Sequence, residues 1–218
     1  MSEVALAATV VLGRERDAGF EVLMMQRTQR GAFAGAWAFP GGRVDDTDAP
    51  GRPRHERARV AAAREVFEEV GLRLDADALV PLSRWMPPAR IPRRFDTDFF
   101  LAKAADGEIV ASADEVAAWR WISPTDAIAA HAGDDFELHP PTFVTLARLA
   151  EFRTFDAALQ HSLADGPAEF LTQGIPTDGL LVWEGDELAD GDVETEHGPR
   201  NRLLTDAVPW RYVHRGVG

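Results

Sequence analysis

Three glutamates in the stretch REVFEEVGL, residues 64–72, have the spacing of a metal site. Glu65, Glu68 and Glu69 stand at positions i, i+3 and i+4, so a helix would carry all three carboxylates on one side, within about 5 to 6 Å of one another. Their charges repel, and a cation would offset that repulsion. Mg²⁺ suits this role because it binds a few carboxylates while keeping waters and phosphate oxygens. The alternative is a solvated acidic face paired with arginines, the common role of such clusters.

Residues on both sides of these glutamates form a longer pattern. The segment FPGG lies at 39–42, and Glu56 is separated from Arg64 by seven residues. This pattern resembles the box of the Nudix family, G-x5-E-x7-R-E-U-x-E-E-x-G-U, in which U is a bulky aliphatic residue. The positions that match it are Glu56, Arg64, Glu65, Val66, Glu68, Glu69, Gly71 and Leu72.

The departure from the box lies between Gly42 and Glu56, where thirteen residues stand in place of five. Asp48 occupies the literal place after Gly42, but fifteen residues then separate it from Arg64. Glu56 keeps the spacing of seven. The sequence therefore favours Glu56, with eight extra residues enlarging the loop before it.

The resemblance implies an α+β protein with the Nudix fold, a mixed sheet sandwiched between helices. It also implies a hydrolase that cuts a diphosphate linkage with Mg²⁺ or Mn²⁺. The metal ligands that it assigns are Glu65, Glu68 and Glu69, with Glu56 as a supporting or alternative ligand and Gly42 offering its carbonyl. For Gly42 the alternative is a simple turn glycine.

The remaining catalytic roles follow from the same resemblance. Arg64 is expected to orient the carboxylates by ion pairing, or to form an ordinary helix salt bridge. Members of the family place the general base either in the box or on a later loop, so its identity stays open. Glu115, just before an apolar segment at 117–122, is the later-loop candidate, and a surface glutamate beside a strand is the alternative.

Segments outside the box suggest a substrate. RRFDTDFFL at 93–101 and WISPTDAI at 121–128, together with the longer box, resemble the Nudix branch that contains peroxisomal acyl-coenzyme A diphosphatases. Arg27, Gly35 and FPGG match parts of a coenzyme A signature, although the spacing between them differs. Coenzyme A or acyl-coenzyme A is therefore the first candidate substrate.

Two further sets of residues are candidates for substrate binding. An arginine cluster in PPARIPRRF could hold phosphate oxygens, or could pair locally with Asp96 and Asp98; its members are Arg90, Arg93 and Arg94. Aromatic residues could stack on a nucleobase or simply pack in the core; these are Trp37, Phe33 and Trp85.

Composition excludes several classes of protein. A net charge of −13 disfavours binding to long nucleic acids or anionic membranes, and no stretch has the length and apolarity of a membrane helix. The absence of cysteine excludes disulfides, thiolate zinc sites and a cysteine nucleophile. We therefore expect a cytoplasmic protein with a small-molecule partner.

Apolar patterns predict two antiparallel strands at 4–12 and 20–25, a helix at 55–70 ending at Gly71, and strands at 79–85, 95–102 and 117–122. Helices are expected from Ser123, over 141–152 and over 155–163. We predict a Nudix domain over 1–165 and a packed C-terminal extension over 166–218. The sequence decides neither the role of that extension nor whether the chain forms a homodimer.

Two other functions are compatible with the same fold. One is a catalytically silent module that binds a nucleotide metabolite, although silent modules have degenerate boxes and Arg64, Glu65, Glu68 and Glu69 are all present here. The other is an isoprenyl diphosphate isomerase, which is disfavoured because that chemistry uses a cysteine.

Overall fold

The computed structural model describes residues 4–29, 33–89, 91, 94–104, 107–133, 136–172, 179–189 and 194–216. The strands in these ranges are β1 (Val4–Arg16), β2 (Gly19–Arg27), β3 (Trp37–Ala38), β4 (Gly41–Arg43), β5 (Val80–Met86), β6 (Arg94–Lys103), β7 (Val116–Ile122), β8 (Ala168–Leu171), β9 (Leu180–Val182), β10 (Arg200–Leu204) and β11 (Arg211–Arg215). The α-helices are α1 (Arg54–Val70), α2 (Pro124–His131), α3 (Pro140–Leu149) and α4 (Phe155–Asp165), with a short 3-10 helix at Ala76–Ala78.

Strands β1 to β8 form one mixed sheet. Its order is β3-β2-β1-β6-β5-β8, with β4 paired to β1 and β7 paired to β2. The central pair β1 and β6 runs parallel, whereas β1 pairs antiparallel with both β2 and β4. β1 therefore joins the parallel part of the sheet to the short strand that follows FPG.

The alternation of side chains along β1 divides the core into two layers. Val10 and Leu12 pack with the alanines and valines of α1 on one face, while Val11 packs on the other face with residues of α2, α3 and α4. The predicted α+β architecture, a mixed sheet between helices, is confirmed.

Helix α1 begins and ends close to the predicted positions. Gly71 follows it in the left-handed conformation, with φ of 76°, which a glycine adopts without strain. The buried face differs in detail from the apolar pattern, because Val60 and Phe67 are exposed whereas Ala58, Ala61 and Ala62 are buried. Small side chains thus let α1 lie close to the sheet.

Residues after α4 return to the sheet and then leave it. β8 pairs parallel with β5 at the sheet edge, and β9, β10 and β11 form a separate three-stranded antiparallel sheet. Trp183, after β9, is 1% exposed and packs edge-on against Trp85 of β5 and Phe170 of β8. The boundary between domain and extension near residue 165 stays a prediction.

Candidate active site

Three carboxylates converge where the last turns of α1 approach the loop before β7. One oxygen from each of Glu65, Glu69 and Glu115 lies within 4.8 Å of the other two. Two of these residues come from the helix and one from a segment more than forty residues later in the chain. This is the group of acidic side chains that could hold a metal ion in the described residues.

Glu69 is the most constrained member of the group. It is 1% exposed, and its carboxylate accepts hydrogen bonds from the Gly41 amide at 2.7 Å and from Arg27 Nη1 at 3.3 Å. Arg27 also donates to the Gly41 carbonyl at 3.3 Å. Burial raises the pKa of Glu69 to about 8, although Arg27 and the Gly41 amide oppose the shift. A nearby cation would favour the ionised form.

Glu65 lies directly against the backbone of β4. A Cβ atom added at Gly42 would lie 2.5 Å from the Glu65 carboxyl carbon, so only a glycine permits this approach. Burial raises the pKa of Glu65, and the neighbouring carboxylates of Glu68 and Glu115 act in the same direction. Arg64 opposes them through a hydrogen bond of 2.9 Å.

Arg64 connects the acidic group to the loop before α1. Its Nε and Nη2 each donate to a different oxygen of Asp48 at 3.0 Å, which is the two-pronged geometry that strengthens an arginine–carboxylate pair. Nη1 donates to Glu65 and to Glu68, and Nη2 also donates to the Arg43 carbonyl. Arg64 thus orients carboxylates by ion pairing.

Asp48, unlike Glu56, forms a two-pronged pair with Arg64. Its residue is 3% exposed, and its Oδ2 also accepts from the Asp45 amide at 2.7 Å. Burial alone would raise the pKa of Asp48, but the hydrogen bonds from Arg64 and Asp45 outweigh it and hold the pKa below its usual range. The sequence feature that indicated Asp48 was its position after Gly42, at the place where the G-x5-E spacing of the box puts the first glutamate.

Glu56 and Glu68 lie apart from the three-carboxylate group. Glu56 is in the first turn of α1 and accepts from Arg52 at 2.6 Å; nine residues of helix place it roughly 13 Å along the axis from Glu65. The side chain of Glu68 is 51% exposed and pairs with Arg64. The structure therefore brings Glu65 and Glu69 together with Glu115, and places Glu68 at the rim.

Backbone hydrogen bonds explain how Glu115 reaches α1. The Ser112 amide donates to the Glu69 carbonyl at 2.9 Å, which ties the loop before β7 to the end of the helix. The Thr28 amide, at the end of β2, donates to the Glu115 carbonyl at 3.1 Å. No local sequence pattern predicts such contacts between segments that lie far apart in the chain.

The predicted substrate-binding residues have mixed placements. Arg27 contacts Glu69, as described above, whereas Trp37 is 3% exposed and stacks on Phe136 with ring centroids 4.5 Å apart. A nucleobase cannot reach a ring buried to this extent, so the structure places Trp37 in the core. Arg94 is the first residue of β6, opposite Val4 of β1. Arg90 and Arg93 lie outside the described residues.

Asp96 and Asp98 accept hydrogen bonds from arginines of α1 and β5. Arg54 of α1 donates to both carboxylates, and Arg84 of β5 forms a two-pronged pair with Asp96. These contacts link the start of α1 to β5 and β6.

Comparison with known proteins supports the family that the box resembles. Residues 4–141 match the family model described as the NUDIX domain. This match covers more than half of the chain, and the chain therefore belongs to the NUDIX domain family.

Individual relatives are distant. The chain is 28% identical over 187 residues to a provisionally named nudix hydrolase 7 of Caenorhabditis elegans, covering 69% of this chain and 62% of the relative. It is 29% identical over 156 residues to the acyl-coenzyme A diphosphatase NUDT19 of Gallus gallus, covering 66% of this chain and 41% of the relative. The chain thus spans less than two thirds of the length of either protein.

The solved structure of a NUDIX hydrolase from Alicyclobacillus acidocaldarius has a similar fold. It superposes with a TM-score of 0.66 at 23% identity, over 73% of this chain and 97% of that one. The described ranges of the chain contain no helix with the length and apolarity needed to cross a membrane.

Proposed function

We propose that the chain hydrolyses a diphosphate linkage in a nucleoside diphosphate derivative, using a divalent cation held by Glu65, Glu69 and Glu115. The convergence of these three carboxylates carries the proposal. These carboxylates and the backbone carbonyls of Gly41 and Gly42 would offer the metal only oxygen ligands, which suit Mg²⁺ or Mn²⁺. The raised pKa of Glu69 points the same way, because burial makes its negative charge costly even with Arg27 beside it, and a cation would compensate that cost.

When bound, the cation would polarise the diphosphate and acidify a water molecule. Arg27 and the Gly41 amide fix Glu69, and Arg64 holds Glu65, so neither side chain needs to reorganise during the reaction. Glu115 is the exposed member of the group, and we assign its second carboxylate oxygen, which would not hold the cation, as the acceptor of the water's proton. The water oxygen bonds to phosphorus, the bond from phosphorus to the bridging oxygen breaks, and the other phosphate departs as an anion with the electron pair of that bond.

Coenzyme A and acyl-coenzyme A are the first candidate substrates. The identity with an acyl-coenzyme A diphosphatase supports this choice, as do Gly35 and the FPGG segment of the sequence. We place Asp48 in the role of the first acidic residue of the box, with the extra residues between Asp48 and Arg64. A homodimer and a cytoplasmic location stay predictions.

The test is a substrate panel with Mg²⁺ or Mn²⁺: coenzyme A, acyl-coenzyme A, NADH, ADP-ribose and dinucleoside polyphosphates, with products separated by chromatography. Glu69→Gln keeps the shape of the side chain and removes its charge, so Mn²⁺ affinity in calorimetry should fall by more than roughly tenfold, with loss of cleavage. Glu115→Gln should lower kcat by roughly 10² to 10⁴.

The matched control is Glu151→Gln, which changes an exposed glutamate after α3 and should leave both readouts unchanged. Unaltered Mn²⁺ affinity and cleavage in Glu69→Gln would rule out the assigned site. A wild-type protein that binds these nucleotides with metal but cleaves none of them would favour the silent binding module.

A further inference from the structure

The loop between β2 and β3 carries an aromatic ring that the core does not use. Of the three aromatic residues that the sequence analysis considered for stacking on a base, Trp37 is 3% exposed and Trp85 is 4% exposed, whereas Phe33 is 50% exposed. Burial removes the first two as candidates. Phe33 is left as the ring with a free surface.

Neighbouring rings hold Phe33 in place without covering it. His139, just before α3, meets it edge-on at a centroid distance of 4.8 Å, and Phe95 of β6 lies at 6.4 Å with a tilt of 53°. Burial lowers the pKa of His139, so this edge of the cluster is an uncharged imidazole at neutral pH. We call the cluster of these three rings, Phe33, Phe95 and His139, the aromatic corner.

The backbone of Phe33 is strained. Its φ is 63°, in the left-handed region that a residue with a Cβ enters only at a cost in free energy. A glycine would fit this position without that cost. Strain of this kind persists where the surrounding structure enforces it, and it concentrates at ligand clamps. Here the strained residue presents a half-exposed aromatic ring.

The same loop is tied to the acidic group. At its start, Arg27 contacts Glu69, and the Thr28 amide binds the Glu115 carbonyl. At its end, the Arg27 amide donates to the Ala36 carbonyl, and the chain continues through β3 to Gly41, which donates to Glu69. The ring of Phe33 is therefore carried by the segment that frames two of the three carboxylates.

We infer that Phe33 stacks on the base of the bound nucleotide, with His139 and Phe95 supporting the ring. This inference rests on the proposed function and names the part of the substrate that the loop recognises. Stacking between a base and an aromatic side chain contributes about 1–3 kcal/mol per base, equivalent to roughly 5- to 150-fold in affinity. Phe33 is thus a specificity-determining residue rather than a catalytic one.

The test measures binding of ADP and of inorganic diphosphate by calorimetry, each with Mn²⁺. Phe33→Ala should weaken ADP binding by roughly 5- to 150-fold and leave diphosphate binding unchanged, because diphosphate has no base. Phe33→Tyr should retain ADP affinity within roughly threefold, since the ring persists. Leu163→Ala, which removes an exposed apolar side chain of α4, is the control and should change neither.

A further variant separates recognition from folding. Phe33→Gly relieves the backbone strain, so its melting temperature should equal or exceed that of the wild type while ADP binding weakens. A purely structural role for the ring would instead lower the melting temperature. Equal ADP affinity in Phe33→Ala and wild type would overturn the inference.

The inference and the proposed function fail in different ways. If Phe33→Ala weakened only acyl-coenzyme A binding and left ADP and coenzyme A unchanged, the aromatic corner would hold an acyl chain and the base assignment would be overturned. Ring-dependent ADP binding without cleavage of any compound would support the inference and overturn hydrolysis. Wild-type protein that bound neither ADP nor diphosphate would overturn both.

Discussion

At the scale of single residues, Asp48 holds the arginine that pairs with Glu65. Arg64 donates to Asp48 through two nitrogens and to Glu65 through a third, so the buried aspartate fixes the arginine that fixes the glutamate. The spacing of seven residues before Arg64 favoured Glu56 as the first glutamate of the box. In the folded loop, Asp48, which is nearer to Gly42 in sequence, contacts Arg64.

Asp48→Ala should therefore lower the free energy of unfolding and kcat more than the neighbouring substitution Asp46→Ala. Asp46 is fully exposed and lies 3.6 Å from Arg57, and such a surface pair contributes about 0–1 kcal/mol. Loss of Asp48 leaves Arg64 without its two-pronged partner, which should cost about 1–3 kcal/mol in the free energy of unfolding and lower kcat by releasing Glu65. Chemical denaturation and steady-state kinetics of both variants measure the difference.

Glu56→Ala provides the second comparison for this prediction. Glu56 pairs with Arg52 at the surface, so its removal should change stability by less than about 1 kcal/mol and should leave kcat unaltered. If Glu56→Ala proved the more damaging substitution, the assignment of Asp48 as the partner of Arg64 in solution would be wrong.

At the scale of secondary-structure elements, the site depends on the close approach of α1 to β4. β4 pairs with β1, α1 packs on β1 through alanines, and Gly42 has no side chain to separate the strand from Glu65. The distance between helix and strand is thereby set by small residues. A change in this distance would therefore alter the positions of the carboxylates more than it would alter the fold.

Gly42→Ala should impair the site while sparing the fold. The added Cβ would meet the flexible end of the Glu65 side chain at 2.5 Å, which can move aside, and Gly42 has no left-handed φ that would add strain. We expect Mn²⁺ affinity to fall by more than roughly tenfold and the melting temperature to change little. Gly133→Ala, where the nearest atom is 3.5 Å from the new Cβ, is the control.

An equal effect of Gly42→Ala and Gly133→Ala on Mn²⁺ affinity would contradict this assignment. A large drop in melting temperature for Gly42→Ala alone would show that Glu65 cannot move and that the glycine serves packing.

The elements were predictable from sequence to the extent that their signals are local. Ser123 caps α2 by accepting from the Asp126 amide, and Gly71 ends α1, as their residue types indicated. Glu65 and Glu69 share a face because of helical spacing alone. The hydrogen bond from Ser112 to the Glu69 carbonyl, which brings Glu115 to them, joins segments whose meeting only the tertiary fold decides. Trp37 is buried for the same reason.

At the scale of the whole molecule, the C-terminal extension packs against the domain through aromatic rings, and buried charges stabilise the extension internally. Trp183 completes a cluster in which Trp85 and Phe170 stack with centroids 3.9 Å apart. Within the extension, Asp186 is fully buried and accepts from Arg202 at 2.6 and 2.7 Å. No sequence pattern identified this pairing.

The Asp186–Arg202 pair should make stability depend on acid pH. Burial alone would raise the pKa of Asp186, but hydrogen bonds from Arg202 and from the Asn201 and Leu188 amides outweigh it and lower the pKa. A lowered folded pKa means that the stabilisation is complete above the unfolded value of about 3.9. It is lost as the pH falls below about 4 through the folded value.

Asp186→Asn removes this stabilisation, so the variant should be less stable than wild type by about 2–4 kcal/mol at pH 7, because Arg202 keeps its charge in a buried place. The difference in melting temperature should then narrow as the pH falls below about 4, since the unfolded wild-type chain takes up a proton on this aspartate there while the lowered pKa of the folded chain opposes protonation. Asp165→Asn, which changes a 64% exposed side chain at the end of α4, should follow the wild-type curve throughout. A gap between Asp186→Asn and wild type that stayed constant from pH 7 to pH 3 would show that the charge of Asp186 does not stabilise the extension.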